Sequence, residues 1–127
     1  MFDTSKAYSG FAVPDLEAAT AFYGGILGID TELMFGGGLL RLRLSPGHQV
    51  LVYPKADFVP ATYTILNFPV ADVDRAVDEL VAAGVGMERF EGFEQDAKGI
   101  ARGEGPTIAW FRDPGGNILA VHSDEPM

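Results

Sequence analysis

The chain has 127 residues, no cysteine, 47% hydrophobic and 21% charged side chains, and a net charge of −9 from 18 acidic against 9 basic groups. That length supports a domain with its own core, and the missing thiols exclude disulfides, thiolate catalysis and zinc–thiolate centres. An acidic surface repels phosphate backbones and anionic headgroups, so neither nucleic acid nor membrane is an expected partner; the excess charge serves solubility or draws a cationic ligand into an acidic groove.

The opening Met1-Phe-Asp-Thr-Ser-Lys has no basic stretch leading into an apolar one, and no apolar run approaches the roughly 20 residues of a spanning helix. A soluble cytoplasmic protein is the expectation. Ala7 to Val13 reads as a strand, and Asp15 after Pro14 is placed to N-cap a helix with Leu16, Ala19, Phe22 and Ile26 at helical spacing. Gly28 ends that helix. A hairpin follows around Gly36-Gly-Gly, with Leu39 to Leu44 as its second arm, and Ser45-Pro-Gly-His turns into a strand from Gln49 to Tyr53. Tyr63 to Val70 opens a second half as a strand. Asp72 caps a helix with Val73, Ala76, Val77 and Leu80 on one face, and Gly84 stops it. A strand around Val85 to Phe90, a glycine-rich loop from Glu91 to Pro106, and strands Thr107 to Arg112 and Ile118 to His122 complete the chain.

The two halves echo each other. Phe11, Val13, Asp15, Glu17 and Ala19 fall on Phe68, Val70, Asp72, Asp74 and Ala76, and Ser45-Pro-Gly-His-Gln-Val-Leu-Val resembles Asp113-Pro-Gly-Gly-Asn-Ile-Leu-Ala. The expected fold is α+β: two tandem βαβββ modules forming curved mixed sheets around a cup-shaped cavity. One domain covers 1–127, with module 1 at about 5–54, a linker at about 55–61 and module 2 at about 62–123.

Val-x-Asp at the first helix cap, Phe22-Tyr23, Leu27-Gly28 and Trp110-Phe-Arg-Asp-Pro-Gly-Gly-Asn-Ile together resemble the vicinal oxygen chelate superfamily. That group includes glyoxalase I, ring-cleaving dioxygenases and bleomycin-resistance proteins. The resemblance covers essentially the whole chain. It implies metal-ligand positions at Tyr8, Val52, Ile65 and Ala120, on the first and last strands of each module. Three of these side chains cannot donate an electron pair, whereas a divalent ion needs imidazole or carboxylate donors at about 2.0–2.2 Å. No metal and no other cofactor is expected.

The remaining candidates line the expected cup. His122, two residues beyond Ala120, shares its face by strand alternation and is either a ligand contact or base, or a solvated histidine near the chain end. His48 reads as a turn residue. If Ser45 pairs with His48, Arg43 faces Val50 and Arg41 faces Val52, so both arginines point inward. They then bind an anionic ligand, pair with the protein's own carboxylates, or lie at the rim. By the same register Trp110 faces the helices and Phe111 the cup, while Asn67 shares a face with Ile65. Phe90 and Phe93 sit where a lid over the cup would be. Asp113-Pro-Gly-Gly-Asn reads as a turn device without chemistry.

Walker, nucleophile-elbow and His-Glu-x-x-His motifs are absent. The leading expectation is a homodimer that binds a small organic molecule without the usual catalytic metal. Alternatives are a divalent-metal-dependent lyase, isomerase or dioxygenase with displaced ligands such as His122, and a protein that sequesters an antibiotic. Whether any reaction is catalysed is left open by the residues.

Overall fold

Two aspartates begin the two helices, each in extended backbone. Asp15 accepts hydrogen bonds from the amides of Glu17 and Ala18 at 3.0 and 3.3 Å, and Asp72 accepts one from the amide of Arg75 at 3.0 Å. Both satisfy donors that a helix start leaves orphaned. A computed structural model describes residues 1–103 and 105–125. Glu104 of the expected loop, and Pro126 and Met127 of the expected tail, lie outside the described residues. The chain divides into two units, Met1–Val59 and Pro60–Met127.

In the first unit, β1 (Ser9–Val13) leads into α1 (Leu16–Thr20), which continues as a π-helical turn over Ala21–Ile26. Strands β2 (Asp30–Met34), β3 (Leu39–Ser45) and β4 (His48–Pro54) follow. The sheet order is β1-β4-β3-β2, with β1 parallel to β4 and the rest antiparallel. The amide of Leu27 reaches back to the carbonyl of Phe22 at 2.9 Å, a five-residue span that alters which side chains face the sheet. Tyr23 is therefore fully buried against Phe11, and Ile26, expected on the buried face, is exposed. Gly24 is needed where the turn crosses β2, because a Cβ there would lie 2.9 Å from the Thr31 hydroxyl.

The second unit repeats the plan. β5 (Thr64–Val70), α2 (Val73–Ala82), β6 (Met87–Glu88), β7 (Ile108–Arg112) and β8 (Ile118–Ser123) form a sheet of order β5-β8-β7-β6. Val73, Val77 and Leu80 are the buried stripe of α2, as their spacing predicts. The expected strand from Val85 to Phe90 contracts to two residues. The segment after it is ordered by side chains: Gln95 donates to the carbonyls of Glu88 and Gly99 at 3.0 and 2.7 Å and accepts from the amide of Phe90 at 2.9 Å. Single bridges from Ala101 to Gln95 and to Ile108 extend the sheet edge. The expected loop is thus a loop, tied to the sheet edge at Gln95 and Ala101.

Candidate functional site

Strand alternation gives each sheet one helix-covered face and one opposite face. In the first unit Phe11 packs on Tyr23 of the helical turn and pairs with Val52, which pairs with Leu40. Val52, Leu40 and Leu42 are all fully buried on that covered face. Val52 therefore belongs to the module's core, which corrects its expected place in the cup lining. The opposite face carries Gly10, Leu51, Gln49, Arg41 and Arg43.

The pairing of β3 with β4 also differs from the expectation. Ser45 does pair with His48, but a β-bulge between Arg43 and Ser45 shifts the register, so Arg43 pairs with Gln49 and Arg41 with Leu51. In the second unit the turn Asp113–Asn117 connects Arg112 to Ile118. Aligning the sheets by their pairing sets Gly10 and Leu51 on Asn67 and Ala120, so the last strands correspond at 51 and 120 rather than at 52 and 120.

Two further expectations change in the second sheet. Trp110 pairs with Ala120 and shares its face with Ile118 and Ala101, beneath Phe90. Phe111 pairs with Leu119 and is buried on the other face. Trp110, expected against the helix, thus faces away from it, and Phe111 takes the place expected for Trp110. Phe90 and Phe93 do cover this face: their rings lie 5.5 and 4.8 Å from that of Trp110. Aromatic packing therefore fills this end of the sheet's open face.

The arginines are committed to carboxylates. Glu32 receives Arg41 at 3.1 Å and Arg43 at 2.5 Å, and Arg43 also reaches Asp30 at 3.5 Å. Arg112 pairs with Glu88 in the same way, so the bridge is duplicated on the two sheets. Tyr8 lies just before β1 and is exposed; Ile65 falls in an irregularity of β5 between Thr64 and Leu66. His48 is exposed in its turn, 3.0 Å from the Ser45 hydroxyl.

His122 and Asn67 come together. Asn67 pairs with Ala120 and His122 with Ile108, so all four share the open face of the second sheet. Asn67, His122 and Ile108 line a cavity of about 580 Å³ with Pro106, Ser123 and Glu125. His122 is 9% exposed, so it is not the solvated histidine of the bland expectation. Its Nδ1 lies 2.7 Å from the Ser123 carbonyl oxygen. A carbonyl only accepts, so Nδ1 is the donor of this bond, and in the neutral ring Nε2 is the nitrogen with the lone pair. The Asn67 side chain has no hydrogen-bond partner among the described residues, and Glu125 forms no ion pair among them. Glu125 lies three residues past His122, beyond the end of β8, where strand periodicity no longer marks a face.

Outside this cavity Asp74, Asp78 and Asp96 pair with Lys98 and Arg102. The amide of Ile100 holds the Asp96 carboxyl below its usual value, with Arg102 and Lys98 adding to the effect against a smaller cost of burial. Asp74 is lowered chiefly by its hydrogen bond from Arg102, and Lys98 is raised chiefly by Asp78. These groups fasten residues 96–102 to the start of α2.

The metal typical of this fold does not fit the donor set. Tyr8, Ile65, Ala120 and either Val52 or its register-corrected counterpart Leu51 offer one phenol and three hydrocarbons. Among the described residues no group of three or more His, Cys, Asp or Glu side chains lies close enough to hold an ion.

Paired βαβββ modules of this topology define the vicinal oxygen chelate class. A family model described as the Glyoxalase/Bleomycin resistance protein/Dioxygenase superfamily matches residues 7–121, and the chain belongs to that superfamily. Similar solved structures include a glyoxalase/dioxygenase from Nostoc punctiforme, with 18% identity, coverage of 94% of this chain and 90% of that one, and a TM-score of 0.67. TnmS3, an antibiotic binding protein from Streptomyces sp. CB03234, matches at 21% identity, 94% and 96% coverage and a TM-score of 0.68. The fosfomycin resistance protein FosX from Listeria monocytogenes matches at 19% identity, 95% and 91% coverage and a TM-score of 0.67. No curated protein matches the sequence. No helix among the described residues is long and apolar enough to cross a membrane.

Proposed function

We propose that this chain binds a small organic molecule in the cavity beside His122 and Asn67, without a catalytic divalent metal. The observation that carries the reading is the cavity itself: about 580 Å³, with Ile108 and Pro106 for apolar contact and a buried imidazole and a free amide for orientation. Such a volume and mixture suit a small ligand. The names of two structural neighbours, an antibiotic binding protein and a fosfomycin resistance protein, support small-molecule recognition on this scaffold. Sequestration of an antibiotic is one form of the proposal. The test is a ligand screen by thermal shift, repeated on His122→Ala and Asn67→Ala. A hit that binds both variants as well as the wild type would place binding elsewhere.

A metal-dependent reading has one supporting observation, since His122 and Glu125 line the same cavity. Elemental analysis after mild purification decides it: one equivalent of Zn, Ni, Fe or Mn, lost in His122→Ala, would favour that reading. We further propose a homodimer in the cytoplasm. The outer edge of β2 is unpaired and Leu33 and Phe35 beside it are exposed, which favours a covering partner. Light scattering at micromolar concentrations tests the assembly, and cell fractionation the compartment.

A further inference from the structure

We infer that the ligand of the His122 cavity presents a planar cationic head with paired N–H donors, an amidinium or a guanidinium. The inference rests on the small-molecule reading and narrows it to one chemical class. Three observations carry it. First, the cavity offers acceptors that suit paired N–H donors: the Glu125 carboxylate and, in the neutral ring whose Nδ1 donates to the Ser123 carbonyl, Nε2 of His122. The Asn67 amide can turn its oxygen to the same task, because nothing among the described residues fixes it. Second, no lysine or arginine lines the cavity.

Third, the arginines that an anionic ligand would need are engaged elsewhere. Seven of the nine basic side chains sit in ion pairs, and Arg89 donates to the backbone carbonyls of Gln95 and Asp96. A carboxylate or phosphate entering this cavity would meet the Glu125 carboxylate, and only the neutral donors of Asn67 and Ser123 could replace its lost water, with no cation to offset its charge. A planar cation would give two parallel N–H bonds to the carboxylate and retain another for the imidazole. The apolar wall of Pro106 and Ile108 would take the body of such a molecule.

The test uses three planar probes of one shape: benzamidine, benzamide and benzoate. They are titrated into the full chain at pH 8 and 150 mM salt, and backbone amide shifts are followed by NMR. Moderate salt suppresses the general attraction of a net-negative protein. The expected result is benzamidine binding at least about tenfold tighter than benzoate, as one charge-assisted pair would give. Shifts should concentrate at residues 67, 107–108 and 121–125.

Glu125→Gln should bring benzamidine down to the level of benzamide, while Glu91→Gln, the same charge change outside the cavity, should leave the preference intact. An equal effect of the two substitutions would reduce the preference to general electrostatics and overturn the inference. Benzamide or benzoate binding at these residues as tightly as benzamidine would also overturn it, while leaving the small-molecule reading standing. If no probe moves these residues, the inference is overturned, and the small-molecule reading stands or falls on the wider ligand screen.

Discussion

Removing the Asn117 side chain should destabilise the second unit far more than its small size suggests. Asn117 is 2% exposed, and its amide joins two parts of the unit. Nδ2 donates to Asp113 Oδ2 at 3.1 Å, and Oδ1 accepts from the amide of Ala61 at 3.2 Å, across 56 residues of chain. A bond to a carboxylate is worth about 1.5–3 kcal/mol and a neutral one about 1, so Asn117→Ala should cost about 2.5–4 kcal/mol. The loss is steep because Asp113, itself 5% exposed, stays behind with one donor fewer. Urea unfolding followed by fluorescence of the single tryptophan, Trp110, reads this unit directly. With a slope of about 2 kcal/mol/M, the midpoint should fall by about 1–2 M. Asn67→Ala, on an exposed side chain without a hydrogen bond among the described residues, should shift it by at most about 0.25 M, since such surface changes cost at most about 0.5 kcal/mol. Equal shifts for the two variants would refute the assignment of Asn117 as the tie between Ala61 and the turn.

Asp15→Ala and Asp72→Ala should each cost about 1 kcal/mol in the same assay, and Asp15→Asn or Asp72→Asn should restore most of it. Arg41→Met and Arg43→Met should leave the relative binding of benzoate and benzamide unchanged, since both guanidiniums already face Glu32; a lost anion preference would reopen the anionic reading. Acid should loosen residues 96–102 before the sheet. Asp96 and Asp74 are held below their ordinary value of 3.8, so their contribution is complete above that value and is lost as the pH falls through the lowered folded values. Amide exchange at Ile100 that accelerates below about pH 4, ahead of exchange in β8, is the expected signature; simultaneous acceleration would count against it.

Local chemistry was readable wherever neighbours in sequence decide it. Asp15 and Asp72 cap their helices because the cap bond spans only two or three residues, and Gly28 and Gly84 take the positive φ that stops a helix. The internal echo likewise placed two βαβββ modules, since caps, turns and strand alternation recur at matching spacing. The π-helical turn was not legible: Phe22, Tyr23 and Ile26 suit an ordinary helix, and only the close approach to Thr31 that Gly24 permits sets Tyr23 inward.

Sequence alone determined the family and the caps, because each depends on residue identity at known spacing. It also brought Asn67 and His122 forward, since strand periodicity puts each on the face of an expected site residue. Tertiary structure decided which face that was. The bulge before Ser45 and the longer turn at Asp113 each shift the pairing by one residue, and in a strand a shift of one exchanges the two faces. Phe111 went to the covered face and Trp110 to the open one for that reason, while Val52 is on the covered face because its β1 partner Phe11 packs on Tyr23. The engagement of Arg41 and Arg43 with Glu32 depends on the pairing of β2 with β3, which no local pattern encodes.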